Sequence, residues 1–335
     1  MFRILHDTQI DFIRLWKITT TVTLLFIIPG LILLAFSNYR YSIEFTGGTL
    51  MQVTFKEAPD VAKVRSTLDQ AGIASAEIAQ FGGPTEFVIR AQNPEQVAEQ
   101  AQGAETVKQN ISAALTKSFG ENSFTVSRAE TVGPKVGSEL RQKAALAIFI
   151  SFFVTLAYLA YRFEWRFGLA AVVATSHDII ATLVFIRYLN LEISLIVIGG
   201  VLTMIGYSLN DTIVIFDRAR EDLRKKRKES LKDTLNRAVN ETLPRSVLTH
   251  ATTAATLIAL AFLGGPVIRP FALVMIFGVV TGTFSSIYVA PVILLWIERK
   301  WPRKAGERGV SGHRASARVS EGSSSRKEPS VAATR

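Results

Sequence analysis

Six long apolar blocks, at about 17–36, 141–161, 167–188, 191–216, 246–264 and 270–297, limit what this chain can fold into. A run of about 18 or more residues with few charges is long enough to cross a bilayer as a helix. The expected fold is therefore a mainly α-helical membrane protein with six transmembrane helices. The last block is long enough to tilt or to carry an interfacial end. The chain is 48% hydrophobic, and the apolar residues fall in these blocks rather than being spread as in a soluble enzyme. The chain has no cysteine, which excludes disulfides and thiolate metal sites. A net charge of +10 would suggest nucleic acid in a soluble protein. Here the basic residues sit in particular loops, so membrane topology accounts for them and no specific nucleic-acid partner is expected.

Arg3, Arg14 and Lys17 give the first block a basic start, and the run that follows is longer than a usual signal core. The sequence after it, AFSNYRY, has no small-x-small cleavage site, so an uncleaved signal anchor is expected. Residues 37–140 form a polar region between the first two blocks. YSIEFTGGTLMQVTF reads as a strand pair or long strand, and APDVAKVRSTLDQAG as a helix closed by Gly72. AEIAQFGG and TEFVIRA read as a hairpin around Gly82, Gly83 and Pro84. NPEQVAEQAQGAETVKQNISAALTKSFG reads as a second helix, and SFTVSRAE as a last strand. That order predicts a small ferredoxin-like α+β domain, for which about 100 residues suffice.

The basic residues orient the chain. Segment 217–245, the tail that begins ERKWPRKAGERGV, and the turn holding Arg162 and Arg166 are positive and are placed in the cytoplasm. Residues 37–140 and the turns YLNLE and LGGPVIRP then lie outside, with both termini inside. The expected layout is a cytoplasmic N-terminus and first span over 1–36 and an external domain over 37–140. Five further spans over 141–297 enclose a cytoplasmic loop at 217–245, and a basic tail covers 298–335. The tail is rich in Ser, Arg and Gly and is expected to be disordered. It reads first as solvated chain and second as an electrostatic contact for anionic lipid or ribosomal RNA.

Ionisable residues inside the apolar blocks point to function, because a central Asp costs roughly 2.5–3.5 kcal/mol on insertion. His177 and Asp178 lie mid-helix in the third block. Neighbouring residues are about 100° apart on a helix, so both cannot face one small ligand, which argues against a metal site and leaves a helix–helix hydrogen bond as the simpler role. Asn210 and Asp211 lie in the fourth block, with Asp211 about six residues, or ~9 Å, inside its cytoplasmic end. Tyr207 and Val214 flank Asp211 on one face, and Gly199, Gly200 and Gly206 permit close helix contact. In the fifth block Arg245 follows Pro244, and Thr249, Thr252, Thr253 and Thr256 continue as a polar stripe with His250 one step off it. Asp211 and Arg245 come out at similar depth and are expected as a pair, either a static salt bridge or a proton site. Desolvation raises an aspartate's proton affinity and a guanidinium lowers it, so the group can load and release a proton as water access changes.

The stretch GYSLNDTIVIFDRARE at 206–221 resembles the signature of the SecF side of the SecD/SecF family of protein-export membrane proteins, relatives of the resistance-nodulation-division transporters. IEFTGGT at 43–49, TVGPKVGSEL at 131–140, ATSHD at 174–178, RSVLTHATT at 245–253 and VIRPFALVMIFGVVTGTFSSIYVAPVILL at 267–295 are similar to further family motifs, in order. The resemblance implies six helices forming half of a pseudo-symmetric bundle completed by SecD. It also implies association with the SecYEG channel in the bacterial inner membrane, contact of exported polypeptides with the external domain, and use of the proton-motive force in late stages of export. It assigns the important acid to Asp211 and the important arginine to Arg245; a further coupling aspartate belongs to SecD and is absent here. Glu44 stands where the family motif more usually has Asp. No cofactor is implied, and no enzymatic role.

The glycine motifs also read locally: Gly47 and Gly48 as a turn open to positive φ, and Gly133, Pro134 and Gly137 as a turn and hinge where the external domain meets the second helix. Two alternative functions fit the same features. One is a half-transporter of the efflux type for lipid or drug. The other is an intramembrane aspartyl protease with Asp178 and Asp211 as a dyad. There is no Gly-rich phosphate loop ending in Lys-Ser/Thr and no His-Glu-x-x-His, and GGVLTMIG inside a block reads as packing.

Overall fold

The computed structural model describes residues 8–73, 76–91, 101–225 and 229–302. Six helical stretches in it are long and apolar enough to cross a membrane. They are built from α1 (Trp16–Phe36), α5 (Pro134–Arg162), α6 (Trp165–Tyr188), α7 (Leu195–Lys225), α8 (Leu231–Leu263) and the pair α9 (Gly265–Phe284) and α10 (Ala290–Lys300). A π-helical turn, Ser285–Val289, joins the last two, so the sixth apolar block is one helix with a widened turn in it. The interior of the bundle is made by α6, α7 and α9–α10, whose most apolar windows are 50%, 50% and 56% buried; α1 and α5, at 6%, lie on the periphery.

Small residues let these helices approach. On α9, Gly278 and Gly282 face α7. A Cβ on Gly282 would lie 2.9 Å from the Ser208 Cβ and 3.0 Å from its Cα, so only glycine permits this crossing. Ala170, Ala171 and Ala174 of α6 are buried against the same core as Phe167 and Phe216.

The segment expected as a cytoplasmic loop, 217–245, is largely helical: α7 runs on to Lys225 and α8 begins at Leu231. Leu235, Ala238, Val239 and Leu243 recur at helical spacing and are buried, so this polar stretch carries one apolar stripe. The chain before α1 lies across that stripe. Asn240 donates to the Ile10 carbonyl at 2.9 Å and accepts from the Ile10 amide at 3.0 Å, and Phe12 and Ile13 are buried there. The tail expected to be disordered lies almost wholly outside the described residues, as do the first residues of the second predicted helix.

Between α1 and α5 the order is β1 (Arg40–Tyr41), α2 (Ile43–Thr46), β2 (Gly48–Phe55), α3 (Val61–Gln70), β3 (Glu77–Gln80), β4 (Glu86–Ala91), α4 (Ala101–Phe119) and β5 (Phe124–Val132). The sheet runs β3-β4-β2-β5, antiparallel throughout, which is compatible with the ferredoxin-like order expected from the sequence. Met51, Val53, Phe55, Phe87 and Ile89 point from the sheet onto Val64 and Leu68 of α3 and Ile111 and Leu115 of α4. Of the strand pair or long strand expected here, the structure has two strands, β1 and β2, separated by the helical turn α2. Ser42 caps α2 by accepting from the Glu44 amide at 3.2 Å, and Gly47, at φ 74°, ends it. A helical turn is formed because the cap and the left-handed glycine bracket four residues.

This neck packs tightly against the bundle. A Cβ on Gly47 would meet the Pro134 Cα at 2.8 Å, and one on Gly137 would meet the Gly47 nitrogen at 2.9 Å. Gly48 has φ 125°, and Gly133 precedes Pro134 at the first position of α5. The residues read as turn and hinge thus form a close-packed crossing. On its other side, β1 pairs in parallel with β6 (Glu192–Ile193), immediately before α7.

Candidate functional site

Among the aspartates buried in the spanning helices, Asp178 and Asp211 are held differently. Asp178 of α6 is wholly buried and takes three contacts: Ser208 of α7 and Ser285 of the π turn donate to its Oδ2, the latter at 2.6 Å, and His177 Nδ1 lies 2.9 Å from its Oδ1. The π turn makes this possible by carrying Ser285 and Ser286 inward together; Ser286 meets the Thr212 hydroxyl at 2.7 Å. His177 reaches its own neighbour's carboxylate rather than a separate helix, while the helix–helix bond expected for this pair is made by Asp178.

Asp211 lies one turn further along α7 than Ser208 and is 5% exposed. It makes no hydrogen bond among the described residues, and its buried Oδ2 has no hydrogen-bond partner. The nearest cation-capable group is His250 of α8, whose Nε2 lies 3.4 Å from Oδ2. His250 Nδ1 lies 2.9 Å from the Thr283 hydroxyl, which is also 2.8 Å from the Val279 carbonyl. Tyr207 stacks beside the imidazole at 5.3 Å between centroids and donates to Thr253 at 3.1 Å.

The expected Asp211–Arg245 pair is not formed. Arg245 is exposed and lines a basic cleft with Arg162, Asp217, Arg218, Arg220 and Arg224. The reason is directional. The Cα–Cβ bond tilts toward a helix's own N-terminus, and α7 and α8 run antiparallel, so side chains at equal depth lean apart. The residue of α8 that reaches Asp211 must sit about a turn deeper than depth-matching suggests, and that residue is His250. Asn210, expected at the site, is exposed on the outer face of α7 and has no hydrogen bond among the described residues. Thr249 and Thr252 are exposed too, and Thr252 bonds back to its own helix. Ser208, Ser285, Thr283 and the π turn carried no signal that periodicity could find; His250 did, as an ionisable residue in an apolar block.

The Thr283 hydroxyl has one hydrogen. If it goes to Val279, the imidazole carries its own on Nδ1 and turns a lone pair toward the carboxylate, and the contact then requires one further proton. A dyad of Asp178 and Asp211 is not favoured: no hydrogen bond joins the two carboxylates, and Asp178 already has three polar contacts.

Comparison with known proteins settles the family. Residues 111–300 match the family described as "Protein export membrane protein SecD/SecF, C-terminal". Along nearly its whole length, 96%, the chain is 54% identical to the protein translocase subunit SecF of Gemmatimonas aurantiaca, covering 99% of that protein. The chain belongs to the SecD/SecF family. Its resemblance is to the SecF side: the protein translocase subunit SecF of Vibrio alginolyticus is 38% identical over 88% of this chain and 92% of that one. The crystal structure of SecDF from Thermus thermophilus, a translocon-associated membrane protein, matches 89% of this chain with a TM-score of 0.77 at 33% identity. A second SecDF structure, in a super-membrane-facing form, matches with a TM-score of 0.63 at 34% identity. This chain spans 40% of each of those SecDF chains. As a SecF-type member of the family with six spanning helices, it is a multi-pass membrane protein.

Proposed function

We propose that this chain is an accessory subunit of bacterial Sec protein export that works with SecD and the SecYEG channel in the inner membrane, and that Asp211 is where proton movement enters its cycle. The observation that carries the proton role is a buried carboxylate in a spanning helix with an unpartnered oxygen and an imidazole at 3.4 Å. A carboxylate in that position changes its charge more readily than one already saturated by donors. Arg245, five residues before His250, sets the potential at the mouth of the site rather than pairing with the acid. Lysine and arginine concentrate at the end of the bundle where α7 passes into α8, which supports a cytoplasmic position for that end and for both termini, and an outside position for the α+β unit, on the side where exported polypeptides would emerge.

The partner follows from the same face. Asn210 has no hydrogen bond among the described residues, and it is exposed beside Thr203 on α7, with Thr249, Thr252 and Thr256 exposed on α8. A polar face at membrane depth is expected to be covered by other polar helices, as the second half-bundle of a SecD partner would cover it, and not by lipid. The efflux alternative is not favoured beside relatives that are translocase subunits.

Asp211→Asn tests the reading. In inverted membrane vesicles carrying SecD and SecYEG, the variant is expected to accumulate and co-purify with SecD normally, yet lose the part of export that a proton gradient stimulates. Full stimulation in that variant would remove Asp211 from the proton route.

A further inference from the structure

We propose that Glu44 is a positioning residue: its carboxylate fastens the neck of the α+β unit to the first turn of α7, so that the neck and the helix carrying Asp211 move as one body. The inference rests on the function proposed above for Asp211.

The contact is specific. Glu44 Oε2 accepts from the Leu195 amide at 2.6 Å and from the Ser42 hydroxyl at 3.1 Å. Leu195 is the first residue of α7. Its amide is one of the donors that a helix start leaves without a partner inside the helix. Ser194 serves the third residue of that turn, accepting from the Val197 amide at 3.2 Å, so the Leu195 amide is left for a group from elsewhere in the chain. A carboxylate there also sits at the positive end of the helix, where its charge is favoured.

Two further contacts fix the same junction and give it direction. The Ser42 amide donates to the Ile193 carbonyl at 2.9 Å and continues the parallel pairing of β1 with β6. Arg90 of β4 forms an ion pair with Glu192, while Glu77 of β3 is paired with both Arg40 and Arg90. The sheet is therefore tied to β6, and the neck to α7, at adjoining points. On the opposite side α5 closes on Gly47 through Pro134 and Gly137. A neck held this way has little freedom to slide along α7. A rotation of the α+β unit is passed to the start of the helix whose later turns hold Ser208 and Asp211.

Because the chain has no cysteine, the latch can be read directly. Spin labels are placed through Asp69→Cys on the exposed end of α3 and Leu189→Cys in the exposed turn after α6, in the full chain reconstituted with SecD. The distance distribution is expected to be narrow with the native Glu44. Glu44→Ala is expected to broaden it, with the docked population falling roughly tenfold against its alternatives, as loss of one charge-assisted hydrogen bond implies. Glu44→Gln keeps an acceptor and is expected to stay narrow. Leu195→Pro attacks the bond from the other side: proline is tolerated at a first helical position, so the variant deletes the donated hydrogen while leaving the helix start intact. It should reproduce Glu44→Ala, and the two together should do no more than either alone. Gradient-stimulated export should fall with the docked population and be restored in Glu44→Gln.

A narrow distribution in Glu44→Ala, or in Leu195→Pro if the first does not accumulate, overturns the latch. A broadened distribution with full export stimulation overturns its role in positioning. If Asp211→Asn retains stimulation, the functional reading fails on its own, and the label distances still decide whether Glu44 holds neck and helix together.

Discussion

Asp178 and Asp211 are both buried acids in the spanning helices of one small bundle, yet their surroundings ask opposite things of them. Around Asp178, two serine hydroxyls and an imidazole converge from two helices and a π turn, and the charge is satisfied where it stands. Asp211 has an unpartnered oxygen and a histidine just beyond hydrogen-bonding geometry. A saturated buried carboxylate fastens helices together, whereas one whose oxygen lacks a donor makes no such bond and is free for another task. The lesson is that burial of an acid in a membrane helix does not identify its task; the count of donors does.

The largest effect that would test this contrast is on stability. Asp178→Ala leaves two buried hydroxyls and His177 without their acceptor, and is expected to cost about 3–5 kcal/mol or to prevent accumulation in the membrane. Asp178→Asn keeps an acceptor oxygen and should cost less. Asp211→Ala removes a group that makes no hydrogen bond, so it should change stability by under about 1 kcal/mol. Thermal unfolding in detergent, read alongside membrane abundance, checks all three. Equal destabilisation by the two alanines would erase the distinction.

A smaller effect probes the scaffold that presents Ser208 to Asp178. Gly282→Ala drives a Cβ to 2.9 Å from the Ser208 Cβ, close to backbone that cannot swing away. An overpacked contact of that kind costs about 1–3 kcal/mol. Gly278→Ala sets a Cβ against the Cγ and Cβ of the wholly buried Met204, at the root of that side chain, and should cost at least as much. If the saturated cluster matters, Gly282→Ala should lower thermal stability while the proton-dependent step proposed for Asp211 persists.

Much of this was legible in the sequence, and the parts that were not share a cause. Long apolar blocks give spanning helices, and the α+β unit follows from alternating Val, Phe and Ile between turn residues. Asp211 stands out because an acid in an apolar run is costly. What periodicity could not supply was direction. Arg245 matched Asp211 by depth, but the opposed lean of side chains on antiparallel helices hands the contact to His250. Nor does any local signal announce that Ser285–Val289 adopts a π turn, since the bonds that accompany it, from Ser285 and Ser286, go to other helices. In 217–245 the charges outweigh the apolar stripe, so the sequence predicts a loop; the stripe is buried only because α7 and the chain before α1 lie against it.

The smallest expected effects come from two carboxylates outside the spans, and they have opposite signs. Burial of Glu192 beside the neck holds its carboxyl above the usual range, with Arg90 and Arg40 opposing that shift. The folded chain then binds this proton more tightly than the unfolded one. Its contribution favours folding in acid and fades as pH rises through the ordinary carboxylate range and up to the raised value. Asp11, at the other end of the molecule, is held below the usual range, chiefly by the hydrogen bond from Asn236 at 2.6 Å, with Lys232 adding to it. Its contribution is present above the ordinary range and is lost as pH falls toward the depressed value. Melting of the detergent-solubilised chain between about pH 3 and 7, a window spanning the carboxylate range, should therefore change shape differently in two variants. Relative to the native chain, Glu192→Gln gains stability as pH rises, because it no longer has to ionise a buried acid; Asp11→Asn loses stability over the same climb. Slopes of the same sign in both variants would mean that Arg90, rather than burial, governs Glu192, and that the neck is held by an ion pair strong enough to outweigh desolvation.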